Sequence, residues 1–407
     1  MEELAFLKEQ LSIPIRPSQS IQEIYGENFI YNPKLYSRDY SHFSNDMLSL
    51  EALTGRELCI AGEAPVICHA GAATEPALRL LREAGLNLPE VLYTYRTEAE
   101  YLQLLETLHQ RNKKLIFQYP HPPEDVPPQL SWVEPEIQAY LCDKRSIPDL
   151  VPPQNVPLRR TMSLKELLLE KPELPVVLKS GDGQPTSGGC GVMFIENEKQ
   201  LHELDETFCD LSQLIVEEFI PYDQNISVHY SVNKQGEIKF LGKSEQIVNK
   251  DGCFRGSWIS VDVDEQLAKI VETGYWVMKK IADKGYVGVA GFDVLIRGSR
   301  YYFIDLNVRF NASTCGLLLY PDVRNKYGKA VMRLCNLEWT GNFNSLIPLV
   351  EKYLAKGQFI PLSLLDAAYV PNQESISKAV GLVIGHTVAE AEHILKQMTA
   401  DGLCLRE

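Results

Sequence analysis

Val289-Ala-Gly-Phe-Asp293, the turn Gly298-Ser299-Arg300, and Tyr302-Phe-Ile-Asp305-Leu-Asn307-Val-Arg309-Phe-Asn311 form the stretch around which the rest of the chain is arranged. It reads as two strands joined by a turn, the second alternating Ile304, Leu306 and Val308 with Asp305, Asn307 and Arg309. Successive side chains of a strand point to opposite faces, so the acid, amide and guanidinium share one face while the apolar three enter a core. Asp293 joins them in only one register. A two-residue turn at Gly298-Ser299 pairs 293 with 304 and separates the carboxylates, whereas a three-residue turn through Arg300 pairs 293 with 305. The three-residue turn is therefore the expectation. Two acids, an amide and a guanidinium on one surface suit a cation and a phosphate. A half-buried hairpin with a solvated acidic face gives the same alternation, so the remaining sequence has to decide.

The chain has 407 residues, enough for two or three domains with substantial cores. Its 45% hydrophobic and 23% charged content is that of an ordinary globular protein. A formal charge of −14 disfavours a broad nucleic-acid or membrane surface. The opening Met1-Glu-Glu-Leu-Ala-Phe6 lacks a basic segment followed by a long apolar run, and no apolar stretch approaches a membrane span. The nine cysteines are scattered singly, without a C-x-x-C pair, so a reducing cytoplasm is the expected location.

Residues 1–58 read as an N-terminal arm, with Asn28-Phe-Ile-Tyr-Asn-Pro33 a candidate for a short strand or a packing arm. Residues 59–142 read as a small α/β domain with a parallel sheet. Pro65-Val-Ile-Cys-His69 is a buried strand, Thr74 caps a helix opening at Glu75-Pro76, and Val91-Leu-Tyr-Thr94, a helix near 99–109, and Lys114-Leu-Ile-Phe-Gln118 continue the alternation. The turn after His69 reads as structural, because a single glycine is a weak ligand signal. Proline-rich runs at 120–128 and 148–157 flank a helix at 134–142 and place a boundary near 143. Ser163-Leu-Lys-Glu166 has capping-box spacing ahead of a short helix.

Pro175-Val-Val-Leu-Lys179 is a strand that delivers a lysine to Ser180-Gly-Asp-Gly-Gln-Pro-Thr-Ser-Gly-Gly-Cys-Gly191. Glycines such as Gly183, Gly188 and Gly189 permit close backbone approach, so consecutive N–H groups can cradle a polyphosphate while Lys179 adds a point charge. The lysine precedes the glycines and Val192-Met-Phe-Ile195 reads as a strand, so this is not a Walker A loop. Cys190 reads as a small loop residue and His229 as a packed one. Gln213-Leu-Ile-Val-Glu217-Glu218-Phe219-Ile220 is a strand whose end can offer backbone groups to a flat heterocycle. Glu245, Arg255 and the loop Asn249-Lys-Asp-Gly-Cys-Phe-Arg-Gly256 are candidates for a substrate lid, with Arg255 either pairing a substrate carboxylate or simply solvated. Apolar positions from Leu267 to Ile281 mark one long helix behind the hairpin, and residues 341–407 read as a small C-terminal unit packed on the core.

Taken in order, these motifs resemble the ATP-grasp ligase superfamily over residues 143–320, with the preceding α/β segment similar to that family's accessory domain. The resemblance implies a grasp of two α+β lobes over residues 143–340, holding ATP while a carboxylate becomes an acyl phosphate that a nucleophile captures. It implies that Lys144 and Lys179 hold the phosphates with Gly183, Gly188 and Gly189, and that Glu217, Glu218, Phe219 and Ile220 hold adenine. Gln224 and Asn225 stand where an acidic ribose ligand is usual, with Asp223 nearby, and Asp293, Asp305 and Asn307 bind one or two Mg²⁺ ions. Asp305 occupies a position where the family more often carries the longer Glu. Arg309, Arg255 and Lys179 are the expected catalytic residues. The overall layout is similar to natural-product peptide ligases and to the butirosin-type ligase that loads glutamate onto an acyl carrier protein. An amino-acid substrate, a carrier protein or small amine as acceptor, and a homodimer are thus the expected partners, with a nucleotide-binding relic without chemistry as the alternative.

Overall fold

A computed structural model describes residues 13–35, 47–183, 191–204, 208, 211–250, 252–260, 264–371 and 376–405. Gly188, Gly189 and Cys190 lie outside the described residues. Strands β1 (Ile30–Asn32), β2 (Val66–His69), β3 (Leu92–Tyr95) and β4 (Leu115–Phe117) form a parallel sheet in the order β3-β2-β1-β4. Of the two readings for residues 28–33, a short strand or a packing arm, the strand is the one observed, and β1 lies between β2 and β4 with all three residues buried. Thr74 occupies the N-cap position of the Glu75–Glu83 helix, but its hydroxyl makes no capping bond. The Ser163–Glu166 box is complete, with the Ser163 hydroxyl accepting from Glu166 N and the Glu166 carboxylate accepting from Ser163 N.

A second sheet, in the order β5-β8-β6-β7, is built from β5 (Arg159–Met162), β6 (Val176–Ser180), β7 (Val192–Ile195) and β8 (Leu214–Glu218). All its pairings are antiparallel, and β6 and β7 flank the glycine loop with Lys179 opposite Val192. It has its own core, including Met162, Leu167, Leu178, Ile195 and Leu214.

The largest sheet follows the order β13-β12-β9-β10-β11-β14-β16-β15, with β17 (Cys404–Leu405) paired to β14. Its strands are β9 (Gln224–Val232), β10 (Ile238–Val248), β11 (Phe254–Ile259), β12 (Gly288–Arg297), β13 (Arg300–Asn307), β14 (Val331–Thr340), β15 (Phe359–Leu365) and β16 (Ile376–Gly385). β15, β16 and β17 come from the segment read as a C-terminal unit, and they extend the hairpin's own sheet. The Glu265–Asp283 helix backs the hairpin as its periodicity predicts. Leu267, Ile270, Val277, Met278 and Ile281 are buried against Val228, Tyr230, Phe292, Val294 and Phe303. Gly274 lets this helix approach the sheet, because a Cβ there would lie 2.5 Å from the Tyr230 hydroxyl. The largest core joins Tyr31, Leu58 and Leu81 from the N-terminal region to Leu318 of the Thr314–Tyr327 helix and to Met332, Leu334, Ile360 and Leu382 from the large sheet.

Candidate active site

Arg297 pairs with Arg300, so the hairpin turn is the two-residue Gly298-Ser299, with Gly298 at φ +56°. The expected three-residue turn is absent, yet Asp293 does pair with Asp305. A β-bulge reconciles these facts. Val294 pairs with Phe303 and Asp293 with Asp305, leaving Ile304 as the extra residue. Phe303, Leu306 and Val308 are buried on the core side, whereas Ile304, assigned to that core on alternation, is only half-buried. The carbonyl of the bulged residue Ile304 accepts from Lys179 Nζ at 2.8 Å.

The cations expected from sequence converge on this hairpin. Lys144 Nζ lies 3.3 Å from Asp305 Oδ2. Asn307 Nδ2 donates to Asp293 Oδ2 at 3.1 Å, and Arg309 Nη1 donates to Asn307 Oδ1. Burial, and then the facing Asp305 charge, push the Asp293 carboxyl up to about 7. Burial acts on Asp305 in the same sense, but Lys144, Lys179 and Arg309 together hold it below the ordinary carboxylate value. Lys179 Nζ is 2.5 Å from Glu217 Oε2, and burial lowers its pKa despite that partner. Glu217 Oε1 stands 3.1 Å from Arg159 Nη2. Arg159 escaped the sequence reading because a lone arginine on a short strand carries no spacing signal. Only the Arg159↔Glu217 register of β5 and β8 reveals it.

Beside the hairpin, β9 presents Asn225, Ser227 and His229 on the face that carries Asp293, since Ser227 pairs with Asp293 and His229 with Gly291. Ser244 of β10 pairs with Ser227. Asn225 Oδ1, His229 Nε2, Ser244 Oγ, Ser180 Oγ and Glu217 Oε1 are buried without a hydrogen-bond partner among the described residues. His229 is packed, as expected; burial lowers its pKa to about 3, and its Nδ1 lies 3.3 Å from Thr314 Oγ1. Gly291 makes room for Asn311, whose Nδ2 lies 1.9 Å from where a Cβ would stand. Asn311 also escaped assignment as a site residue, because its position depends on that glycine across the sheet.

The remaining expected residues divide in two. Gly183, at φ +73°, opens the glycine loop against Arg145 and Asp143, beside Lys144. Phe219 meets Phe194 edge-on at 6.0 Å, and Ile220 is buried at the end of β8. The Glu218 carboxylate accepts from Leu158 N at 2.8 Å. Arg255 is the extra residue of a second bulge, between Val248↔Phe254 and Ile247↔Gly256. Asp223 is drawn elsewhere: its carboxylate accepts from Gly298 N at 2.7 Å, at the far end of the hairpin from Asp293.

Residues 157–307 match the family described as "L-aspartate--L-methionine ligase, ATP grasp", and residues 20–139 match "L-aspartate--L-methionine ligase N-terminal domain". The chain belongs to the ATP-grasp ligase superfamily. Among solved structures, ATP-grasp-like similarity extends over nearly the whole chain. Biotin carboxylase from Campylobacter jejuni superposes with a TM-score of 0.57 at 15% identity, covering 93% of this chain and 92% of that one. L-amino acid ligase from Bacillus licheniformis gives 0.53 at 13% identity, covering 93% and 98%. N5-carboxyaminoimidazole synthetase from Staphylococcus aureus, complexed with ADP, gives 0.56 at 11%, covering 94% and 99%. Such identities show the fold alone. Formate-dependent phosphoribosylglycinamide formyltransferases of a Nitratiruptor species and a Sulfurovum species are 31% identical over 141 residues and 28% over 138, respectively. The match spans 33% of this chain and 33% of each of those proteins.

The Asp293–Asp305–Asn307 surface fits Mg²⁺ in donor chemistry. Two carboxylates and an amide are hard oxygen donors of the kind Mg²⁺ takes while drawing its remaining ligands from phosphate and water. The raised Asp293 pKa reflects burial first and then the facing Asp305 charge, and a bound cation would offset both. Glu217 shares a face of the second sheet with Lys179 and is ion-paired to it and to Arg159, while the buried Ser180 Oγ has no hydrogen-bond partner among the described residues. Among the described residues no helix is long and apolar enough to cross a membrane.

Proposed function

We propose that this ATP-grasp ligase joins two amino acids through an amide bond, with L-aspartate and L-methionine as the pair. The observation that supports the chemistry is the convergence of Lys144, Lys179 and Arg309 on the Asp293–Asp305–Asn307 surface. The choice of substrates rests on the family names matched by both halves of the chain.

In this reading the donor carboxylate attacks the γ-phosphorus of ATP, the bond to the bridging oxygen breaks, and ADP leaves an acyl phosphate. The acceptor amine then attacks the acyl carbon, and phosphate departs as the amide forms. Asp293, Asp305 and Asn307 would hold Mg²⁺, which neutralises phosphate charge when bound. Lys144 and Lys179 bind the phosphates from opposite sides, one from the accessory-domain junction and one from the second sheet. Arg309 stabilises charge on the transferring phosphoryl group and then on the tetrahedral intermediate. Glu217 to Ile220 seat adenine, and Asn225 replaces Asp223 as the ribose ligand, because the Asp223 carboxylate is held at the hairpin turn. Arg255, without a hydrogen-bond or ion-pair partner among the described residues, pairs a substrate carboxylate.

The test is ADP release with aspartate, methionine, both together, and every other amino-acid pair, with hydroxylamine as an acyl-phosphate trap. Release that requires aspartate, hydroxamate formed from it, and a dipeptide formed on adding methionine are expected. Equal release with unrelated pairs would remove the substrate assignment. A phosphopantetheinylated carrier protein in place of methionine separates thioester from amide formation. Tight ATP binding with no turnover on any substrate would overturn the ligase reading itself.

A further inference from the structure

The side chain that seats Arg309 lies outside the grasp, on the segment that follows β4. Arg309 Cζ stands 4.8 Å from the centroid of the Tyr119 ring, and both side chains are nearly buried, at 7% and 8% exposure. On its other side the guanidinium donates to Asn307 Oδ1, and Asn307 Nδ2 donates to Asp293. The ring is therefore the first link in a chain of contacts running through guanidinium and amide to a metal-site carboxylate. Arg309 follows β13 directly, with its own N–H bonded to the Asn307 carbonyl at 2.9 Å. Its backbone is fixed, but the long side chain has several torsions left to settle. A planar cation held by an acceptor at its edge and a π-face beneath has little freedom left.

Tyr119 is itself well anchored. Its carbonyl is paired with His121 Nδ1 at 3.3 Å, and His121 Nε2 lies 2.6 Å from the Tyr101 hydroxyl. Gln138 Nε2 donates to the Phe117 and Gln118 carbonyls at 2.8 and 3.0 Å. The ring packs in a small cluster with Leu35 and Leu50. These partners belong to the N-terminal half of the chain, so the N-terminal domain fixes a residue whose contact lies in the grasp.

We infer that Tyr119 is a positioning residue for Arg309, its ring holding the guanidinium beside Asn307 where charge develops. The contact stands without the ligase reading, while its kinetic consequence rests on it. The experiment uses the full chain with Tyr119→Phe, Tyr119→Leu and Tyr119→Met. Arg309 reactivity toward phenylglyoxal is mapped by peptide mass spectrometry, and kcat and KM for ATP are measured with aspartate and methionine. A π-face role predicts that the Phe variant matches wild type. It also predicts that both aliphatic variants label Arg309 about threefold or more faster and lose about 3- to 30-fold in kcat, with KM for ATP within about twofold. An apolar packing role predicts instead that Met serves as well as Phe. Unchanged Arg309 labelling in both aliphatic variants overturns the inference, as does faster labelling with unchanged kcat. If one aliphatic variant fails to fold, the other decides. If wild type turns over no amino-acid pair, the ligase reading falls and the labelling still decides whether Tyr119 seats Arg309.

Discussion

Asp293 and Asp305 face each other across one hairpin yet titrate in opposite directions, because the three cations gather around Asp305. Asp305 is thus charged throughout the working range, and Asp305→Asn should lower turnover at saturating ATP on the order of 100-fold. Turnover left at the wild-type level would remove it from the metal site. Asp293 sets the pH dependence. With its pKa raised to about 7, it must lose a proton to bind a cation, so Mg²⁺ affinity should weaken as pH falls below about 7. Calorimetry in buffers of different ionisation enthalpy should detect a proton released on binding at about pH 6.5 and little at about pH 8.5. Equal proton release at both would mean that Asp293 is not the group involved.

At the scale of elements, the Ile304 bulge separates two jobs that a straight hairpin would combine. Deleting Ile304 leaves a continuous ladder in which Asp293 still pairs with Asp305, because the two-residue turn already requires that register once the extra residue is gone. What disappears is the carbonyl that receives Lys179. The deletion variant should keep Mg²⁺ binding and lose about tenfold in ATP affinity, the cost of one charge-assisted hydrogen bond; unchanged ATP affinity would show that the bulge does not serve Lys179. The bulge also marks what the sequence can reveal. Alternation placed Asp305, Asn307 and Arg309 on one face, and periodicity from Leu267 to Ile281 located the long helix, because each of these patterns repeats along its own element. The extra residue in β13 and the Arg159–Glu217 pair depend on partners distant in the chain, and they leave no local repeat. Asp223 illustrates the reverse error: a carboxylate near the right place is claimed by a nearer backbone N–H.

For the whole molecule, the first core governs cohesion. Residues from the N-terminal region and from the large sheet bury one another in a single cluster, whereas β5 to β8 keep a core of their own. Residues 143–407 expressed alone should therefore show no cooperative thermal transition, and in the intact chain amides of β5–β8 should exchange faster than those of β9 and β12. A sharp transition in the fragment would refute the shared core. Acid should act on the entire fold. Burial holds His121 and His229 at about 3, so both stay neutral in the folded chain while the unfolded chain takes up protons below the ordinary 6.5. Stability is complete above about pH 6.5 and is lost as pH falls toward 3, each histidine adding a slope of up to about 1.4 kcal/mol per pH unit. Urea titrations at about pH 7 and about pH 5.5 should show that decline, and His229→Asn should flatten it.

The shared core has a consequence for anyone wishing to retarget such an enzyme. Exchanging N-terminal domains between relatives, the obvious route when substrate recognition is parcelled by domain, would strip Leu318, Met332, Leu334 and Leu382 of much of their packing. New specificity would have to be grafted side chain by side chain, starting from Arg255, the proposed partner of the substrate carboxylate, on a strand that the graft leaves whole.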